Sequence, residues 1–201
     1  LDALLDVLDS KVDISGDVQV LKGQVADSLA HASPHLNVHD KVMIDASSPT
    51  HDDPMFGLTI PDGPGESLVD SVSQIEGVTQ VRMLRPSMMV VTTHIEGGPR
   101  PEESVETVDE EGAAAQREHI ENLRDAIWSL DGSENLRWLF ITDDDADLQA
   151  DGWRRKLLWQ FFCRFDVARD LHFDENRSRL AWDATAPIPS ETGPYPVRRW
   201  P

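Results

Sequence analysis

One pattern of residues occurs twice in this chain, so the chain must satisfy the same folding instruction at two places. Residues 3–20 lie over residues 156–173 without a gap. Leu4, Leu5, Asp13 and Asp17 return as Leu157, Leu158, Asp166 and Asp170, and Lys11 returns as Arg164. Val12, Ile14, Val18 and Val20 all have apolar counterparts. A second block, 41–49, lies over 179–187, and Asp45-Ala46-Ser47 returns there as Asp183-Ala184-Thr185. The blocks keep their order, and only the segment between them is longer in the first copy.

The pattern reads as helix, turn and strand. Leu157, Leu158, Phe161, Phe162 and Phe165 form an apolar helical stripe, and a strand is expected over residues 167–173. The aspartates between them are suited to the turn, because a carboxylate accepts hydrogen bonds from nearby backbone N–H groups. Asp183 is expected to start another turn in the same way. Asp166, Asp170, Asp183 and Arg164 are therefore expected to be structural, and Asp166→Ala to destabilise the fold. An apolar stretch precedes the second copy but not the first, and Leu1 falls inside the first predicted helix. The expectation is that an upstream strand is supplied by missing protein.

The rest of the chain alternates helix and strand. Residues 66–76 predict a helix closed by Gly77. Val78–Leu84 alternates as a half-buried strand, and Met88–Ile95 is a more continuous apolar one. Residues 112–130 predict the longest helix, its buried face made of Ala115, His119, Leu123, Ala126, Ile127 and Leu130. Leu136–Ile141 reads as a central strand and 152–164 as a helix. The fold class is α/β: a mixed or mainly parallel sheet flanked by helices, with a partial repeat of one module. Residues 45–66 and 96–112 read as loops rich in glycine, proline and acid.

Charge narrows the partners. With 37 acidic residues against 18 lysines and arginines, the formal charge is −19. Nucleic acid and anionic lipid are disfavoured partners, and no apolar run is long enough to span a bilayer. Only four of the 18 basic residues are lysine. Such a surface suits high salt, or is simply a solvated acidic face. The single cysteine, Cys163, cannot form an internal disulfide; it reads as a core thiol and fits a cytoplasmic location.

Candidate chemistry is sparse. The acidic run Asp143-Asp144-Asp145-Ala146-Asp147 follows a predicted strand. Its carboxylates suit Mg²⁺ or Ca²⁺, or a cap on the helix that begins near Gly152. His31, His35 and His39 are spaced by four, but Pro34 interrupts the helix that would place them on one face. No motif for zinc, phosphate or a hydrolase triad is present. The residues give a fold and no catalytic, cofactor-binding or metal site.

Several motifs resemble, in order, those of the C-terminal domain of the UbiD-type decarboxylases, which use prenylated FMN. Residues 139–147 resemble that family's apolar strand with an acidic end. Leu158-Trp159, residues 163–170 and Trp182-Asp183-Ala184-Thr185 resemble its helix, its Val-Asp-Pro-x-x-Asp turn and its Ile-Asp-Ala-Thr turn. In the first copy, residues 27–34 resemble its Leu-Asp-His-Ala-Ser-Pro stretch, and residues 41–47 its Lys-Met-Gly-Ile-Asp-Ala-Thr stretch. Met43 and Ala181 replace the family's glycine, and Cys163 its threonine.

The resemblance implies that residues 1–50 are the closing portion of one such domain, 66–190 a second and nearly complete one, and 191–201 an extended arm. It also implies a segment or accessory subunit of a carboxylase/decarboxylase acting on an aromatic or α,β-unsaturated acid. The prenylated FMN and the catalytic residues would sit in a flavin-binding domain or subunit outside this chain, within a homo- or hetero-oligomer. The alternative is a non-enzymatic scaffold that keeps only the fold.

Overall fold

The structure is a computed structural model that describes residues 2–25, 38–47, 66–96 and 109–188. His31, Pro34, His35, His51 and the predicted arm 191–201 lie outside the described residues, as do the side chains of His39 and Cys163.

The chain runs α1 (Asp2–Lys11), α2 (Ile14–Asp17), β1 (Val18–Val25), β2 (Val38–Ile44), α3 (Glu66–Ser73), β3 (Val78–Arg85), β4 (Met88–Thr93), α4 (Glu110–Trp128), β5 (Trp138–Asp143), α5 (Trp153–Arg164), α6 (Val167–Asp170), β6 (Leu171–Phe173) and β7 (Leu180–Asp183). Five strands form one sheet in the order β3-β4-β5-β7-β6. β4, β5 and β7 are parallel, and β3 and β6 pair antiparallel at the two edges. β1 and β2 form a separate antiparallel pair. The expected mixed sheet flanked by helices is what forms.

The central strands are apolar on both faces because helices cover both. On one face Met88, Val90, Trp138, Phe140 and Leu180 pack with Leu5 and Leu8 of α1 and Leu157 of α5. On the other, Met89, Val91, Leu139, Ile141 and Ala181 pack with α3 and α4. Successive strand residues therefore belong to different cores, as the two-residue period of a strand requires.

α1 is fixed to this sheet by polar contacts at its end. The buried carboxylate of Asp9 accepts hydrogen bonds from Ser87 N at 3.1 Å and Ser87 Oγ at 2.5 Å. Arg137, just before β5, donates to the carbonyls of Asp9 and Val12. A guanidinium suits these orphan carbonyls at a helix C-terminus. Burial lowers the Arg137 pKa from its ordinary value, opposed by the nearby Asp9, Asp13 and Asp17.

The two stretches that share a sequence pattern also share local geometry. Asp13 N donates to Asp17 Oδ2 at 2.7 Å, and Asp166 N to Asp170 Oδ2 at 2.7 Å. Asp17 N reaches Asp13 O at 2.7 Å, and Asp170 N reaches Asp166 O at 2.8 Å. In β1–β2, Val18 lies opposite Ile44 and Val20 opposite Val42. In β6–β7, Leu171 lies opposite Trp182 and Phe173 opposite Leu180, which is the same register. Ser47 N donates to Asp45 at 2.9 Å, and Thr185 N to Asp183 at 2.8 Å.

Three expectations need correction. Residues 167–173 are not one strand: residues 167–170 form a helical turn, because Asp170 folds back onto Asp166 N, and only 171–173 extend. The helix from residue 66 stops at Ser73, and Gly77 closes the following turn at φ +88°. A Cβ on Gly77 would lie 2.7 Å from His119 Cε1, so only glycine fits both the conformation and the space. The buried face of α4 is centred on Ala113, Ile120, Leu123 and Ile127, while Ala115 is exposed.

Ile120→Ala is expected to cost about 2–5 kcal/mol, and Ala115→Ser to stay within about 0.5 kcal/mol of the parent. Urea unfolding followed by circular dichroism checks both.

Candidate functional site

In open α/β sheets, ligands bind beyond the carboxyl ends of the strands. Here those ends are β4 (Thr93, then His94), β5 (Asp143, then Asp144 and Asp145) and β7 (Asp183, then Ala184 and Thr185).

The acidic run is engaged by its own protein. Arg164, fully buried on the last turn of α5, donates to Asp143 Oδ2 at 2.5 Å and to Asp145 Oδ2 at 3.1 Å. Ala186 N also donates to Asp143 Oδ2, at 2.8 Å. Gln160 Nε2 donates to Asp145 at 2.7 Å, and Gln160 Oε1 accepts from Thr142 at 2.8 Å. Asp144 pairs with His94 at 2.9 Å, and Asp147 accepts from Gln149 N at 2.9 Å. The run does not cap α5, whose first turn follows Gly152 with no side-chain cap. Its aspartates instead bind the middle and end of that helix. Among the described residues, no group of three or more His, Cys, Asp and Glu side chains could hold a metal ion.

A second charged cluster lies under the last segment of the second copy. Arg169 grips the buried carboxylate of Asp170 with two nitrogens and reaches Arg164 O at 3.0 Å. Asp183 stands nearby and lines the same small cavity, of about 70 Å³, with Arg117, His172 and Thr185. Gln116 of α4 clamps the segment beyond, donating to Ala186 O at 3.0 Å and accepting from Ile188 N at 2.9 Å.

Two carboxylates sharing one guanidinium leave an excess negative charge. Burial pushes the Asp170 carboxyl up to about 8, against the pull of Arg169 and with a further push from Asp183. Burial likewise pushes Asp143 up to about 7, against Arg164. Burial also opposes the charge on Arg169, but the nearby Asp170, Asp183 and Asp166 outweigh it and raise its pKa.

A wider opening, about 750 Å³, lies between the end of β4 and α4 and is lined in part by Glu76, His94, Glu96, His119 and Asn122. His119 Nε2 is 2.8 Å from Thr93 Oγ1, which donates to Gly77 O at 2.7 Å. This volume is in the range of ligand pockets. Its lining includes two glutamates and neither lysine nor arginine, so it offers no guanidinium or ammonium group to a flavin phosphate. The cavity with two arginines holds only about 70 Å³, too little for a flavin. Neither cavity therefore fits prenylated FMN.

Sequence reasoning found Asp170, Asp183 and Arg164 but missed Arg169 and Gln116. Arg169 carries a signal in its place beside Asp170 in the turn; Gln116 carries none, since it acts across about 70 residues of chain.

No protein-family model and no curated protein matches the chain. Among solved structures it is similar to the vanillic acid decarboxylase of Sedimentibacter hydroxybenzoicus in open form with a truncated ShVdcD, at 11% identity, TM-score 0.42, 83% of this chain and 37% of that one. It is also similar to the evolved dimeric form of the UbiD-class enzyme HmfF from Pelotomaculum thermopropionicum in complex with prFMN, at 15% identity, TM-score 0.39, 86% of this chain and 38% of that one. The chain thus spans little more than a third of the length of either. Likeness at these TM-scores assigns neither fold nor activity.

Arg164→Leu strands Asp143 in the core and is expected to cost about 3–5 kcal/mol, read by denaturant unfolding. The raised carboxyls set a pH dependence. Their folded values of about 7 and about 8 lie above the ordinary 3.8. The folded state therefore holds more protons between those values, and their contribution is lost as pH rises toward 8. The thermal midpoint is expected to fall between pH 5 and pH 8, and to fall less in Asp170→Asn; equal falls would contradict a raised Asp170.

Proposed function

We propose that this chain is an assembly segment of a UbiD-type decarboxylase, built from a partial and a nearly complete copy of one module. Its work is to pack against a flavin-binding catalytic domain or subunit and close it, and the chemistry belongs to that partner. The observation that carries the reading is the pairing of the two copies. The same aspartate-to-amide bonds, at 2.7 Å in both turns, and the same hairpin registers recur at the positions aligned by sequence. The ordered motifs of residues 27–47 and 139–185 add the family. Engagement of Asp143, Asp145 and Asp170 by Arg164 and Arg169 supports a structural role for the acidic residues.

The chemistry assigned to the complex is reversible decarboxylation of an aromatic or α,β-unsaturated acid, with prenylated FMN held by the partner. Affinity purification of the tagged chain from its native source, followed by an absorbance spectrum and mass spectrometry, tests this. The expected result is a flavin-absorbing complex containing a UbiD-type catalytic chain. A chain purified alone and colourless would support the scaffold alternative and contradict the assembly role.

A further inference from the structure

The wide opening beyond β4 is built around one histidine. His119, on α4, is held from two sides. Its Nε2 lies 2.8 Å from Thr93 Oγ1, at the end of β4. Its Cε1 packs on Gly77, where a Cβ would come within 2.7 Å of it. Thr93 is buried, and its hydroxyl donates to Gly77 O at 2.7 Å. A hydroxyl carries one proton. With that proton on Gly77 O, Thr93 Oγ1 can only accept from His119, so Nε2 must carry hydrogen. Neutral His119 then has a bare lone pair on Nδ1. No described residue donates to that nitrogen, and it is not shut away from solvent. The structure thus fixes an unused acceptor in a residue that lines the opening.

The rest of the lining has the matching character. Glu76 follows α3 and Glu96 follows β4; both are exposed, and neither pairs with a cation among the described residues. His94 is held by Asp144 at 2.9 Å, so a proton taken up by His94 is balanced by that carboxylate. Ile75, Ile95 and Leu123 supply apolar wall. An anion would meet two carboxylates here and no ammonium or guanidinium group. A cation bearing N–H would meet a lone pair, two unmatched charges and an apolar surface. The volume of about 750 Å³ and the place beyond the carboxyl end of a parallel strand are those of a small-molecule site.

We propose that this opening binds a small amphipathic organic cation, an amine or amidine with an apolar body. Its N–H donates to His119 Nδ1, Glu76 and Glu96 balance its charge, and its apolar body lies along Ile75, Ile95 and Leu123. Thr93 and Gly77 hold the ring so that Nδ1 is the nitrogen offered. The site needs no flavin protein, and it stands whether or not the chain is part of a decarboxylase.

Isothermal titration calorimetry of the whole chain with 2-phenylethylamine tests this, above the ordinary titration range of histidine. The comparison ligand is 3-phenylpropionate, similar in shape and opposite in charge. Saturable binding of the amine and none of the acid is expected. His119→Ala should weaken amine binding about tenfold or more, through loss of a hydrogen bond to a charged group. Glu76→Gln combined with Glu96→Gln, both exposed and so harmless to the fold, should weaken it about threefold to tenfold, by less in high salt. Long-range proton–nitrogen correlation spectra should show His119 with hydrogen on Nε2, and its Nδ1 resonance should move as the amine is added. No saturable binding, equal binding of the acid, unchanged affinity in the glutamate pair, or hydrogen on Nδ1 of neutral His119 would each overturn the proposal. Each of these results is separate from the assembly reading, which the purification from the native source decides.

Discussion

The arrangement depends most on a buried cation, Arg164, with none of its side chain exposed. Desolvating a guanidinium costs several kcal/mol unless charge and hydrogen bonds replace the lost water. Asp143 and Asp145 supply the charge. Asp143 ends β5, Asp145 sits in the turn beyond, and Ala186 N shares the same Asp143 oxygen that Arg164 binds. One ion pair thus fixes the end of the central strand, the end of α5 and the segment after β7. It also explains why the most acidic stretch of the chain is part of the scaffold: its carboxylates are spent on keeping a cation in the core.

The same pair separates the two copies. Where the second has Arg164, the first has Lys11, which points to water. Where the second has β5 beside its hairpin, the first has no third strand among the described residues. What both keep is local: an aspartate accepting the amide four residues back, and an aspartate accepting the amide two residues on. α1 attaches to the five-stranded sheet through Asp9 on Ser87 and Arg137 on the helix-end carbonyls.

Features that depend on near neighbours in the chain were legible in the sequence. The aspartate turns, the continuous apolar strands β4 and β5 and the mixed α/β sheet follow from spacing and side-chain type. Features set by distant contacts were not. The buried face of α4 turns toward Ile120 because Met89, Val91 and Leu139 present the apolar surface there, and helical spacing alone could not choose between Ala113 and Ala115. Asp170 and Arg164 could be picked out by repetition, but their partners could not: Arg164 meets carboxylates about 20 residues away. The acidic run read as a possible cation site because sequence shows the carboxylates and not the guanidinium that occupies them.

The central claim is that Arg164 and its two aspartates hold the end of β5, the end of α5 and the segment after β7 together. Amide hydrogen exchange of the parent and of Arg164→Leu, resolved residue by residue, tests it directly. The account predicts slow exchange in the parent at Ala184 and Ala186, whose N–H groups donate to Ile141 and Asp143, and exchange faster by orders of magnitude at both in the variant. Unchanged protection of Ala186 in the variant would contradict it.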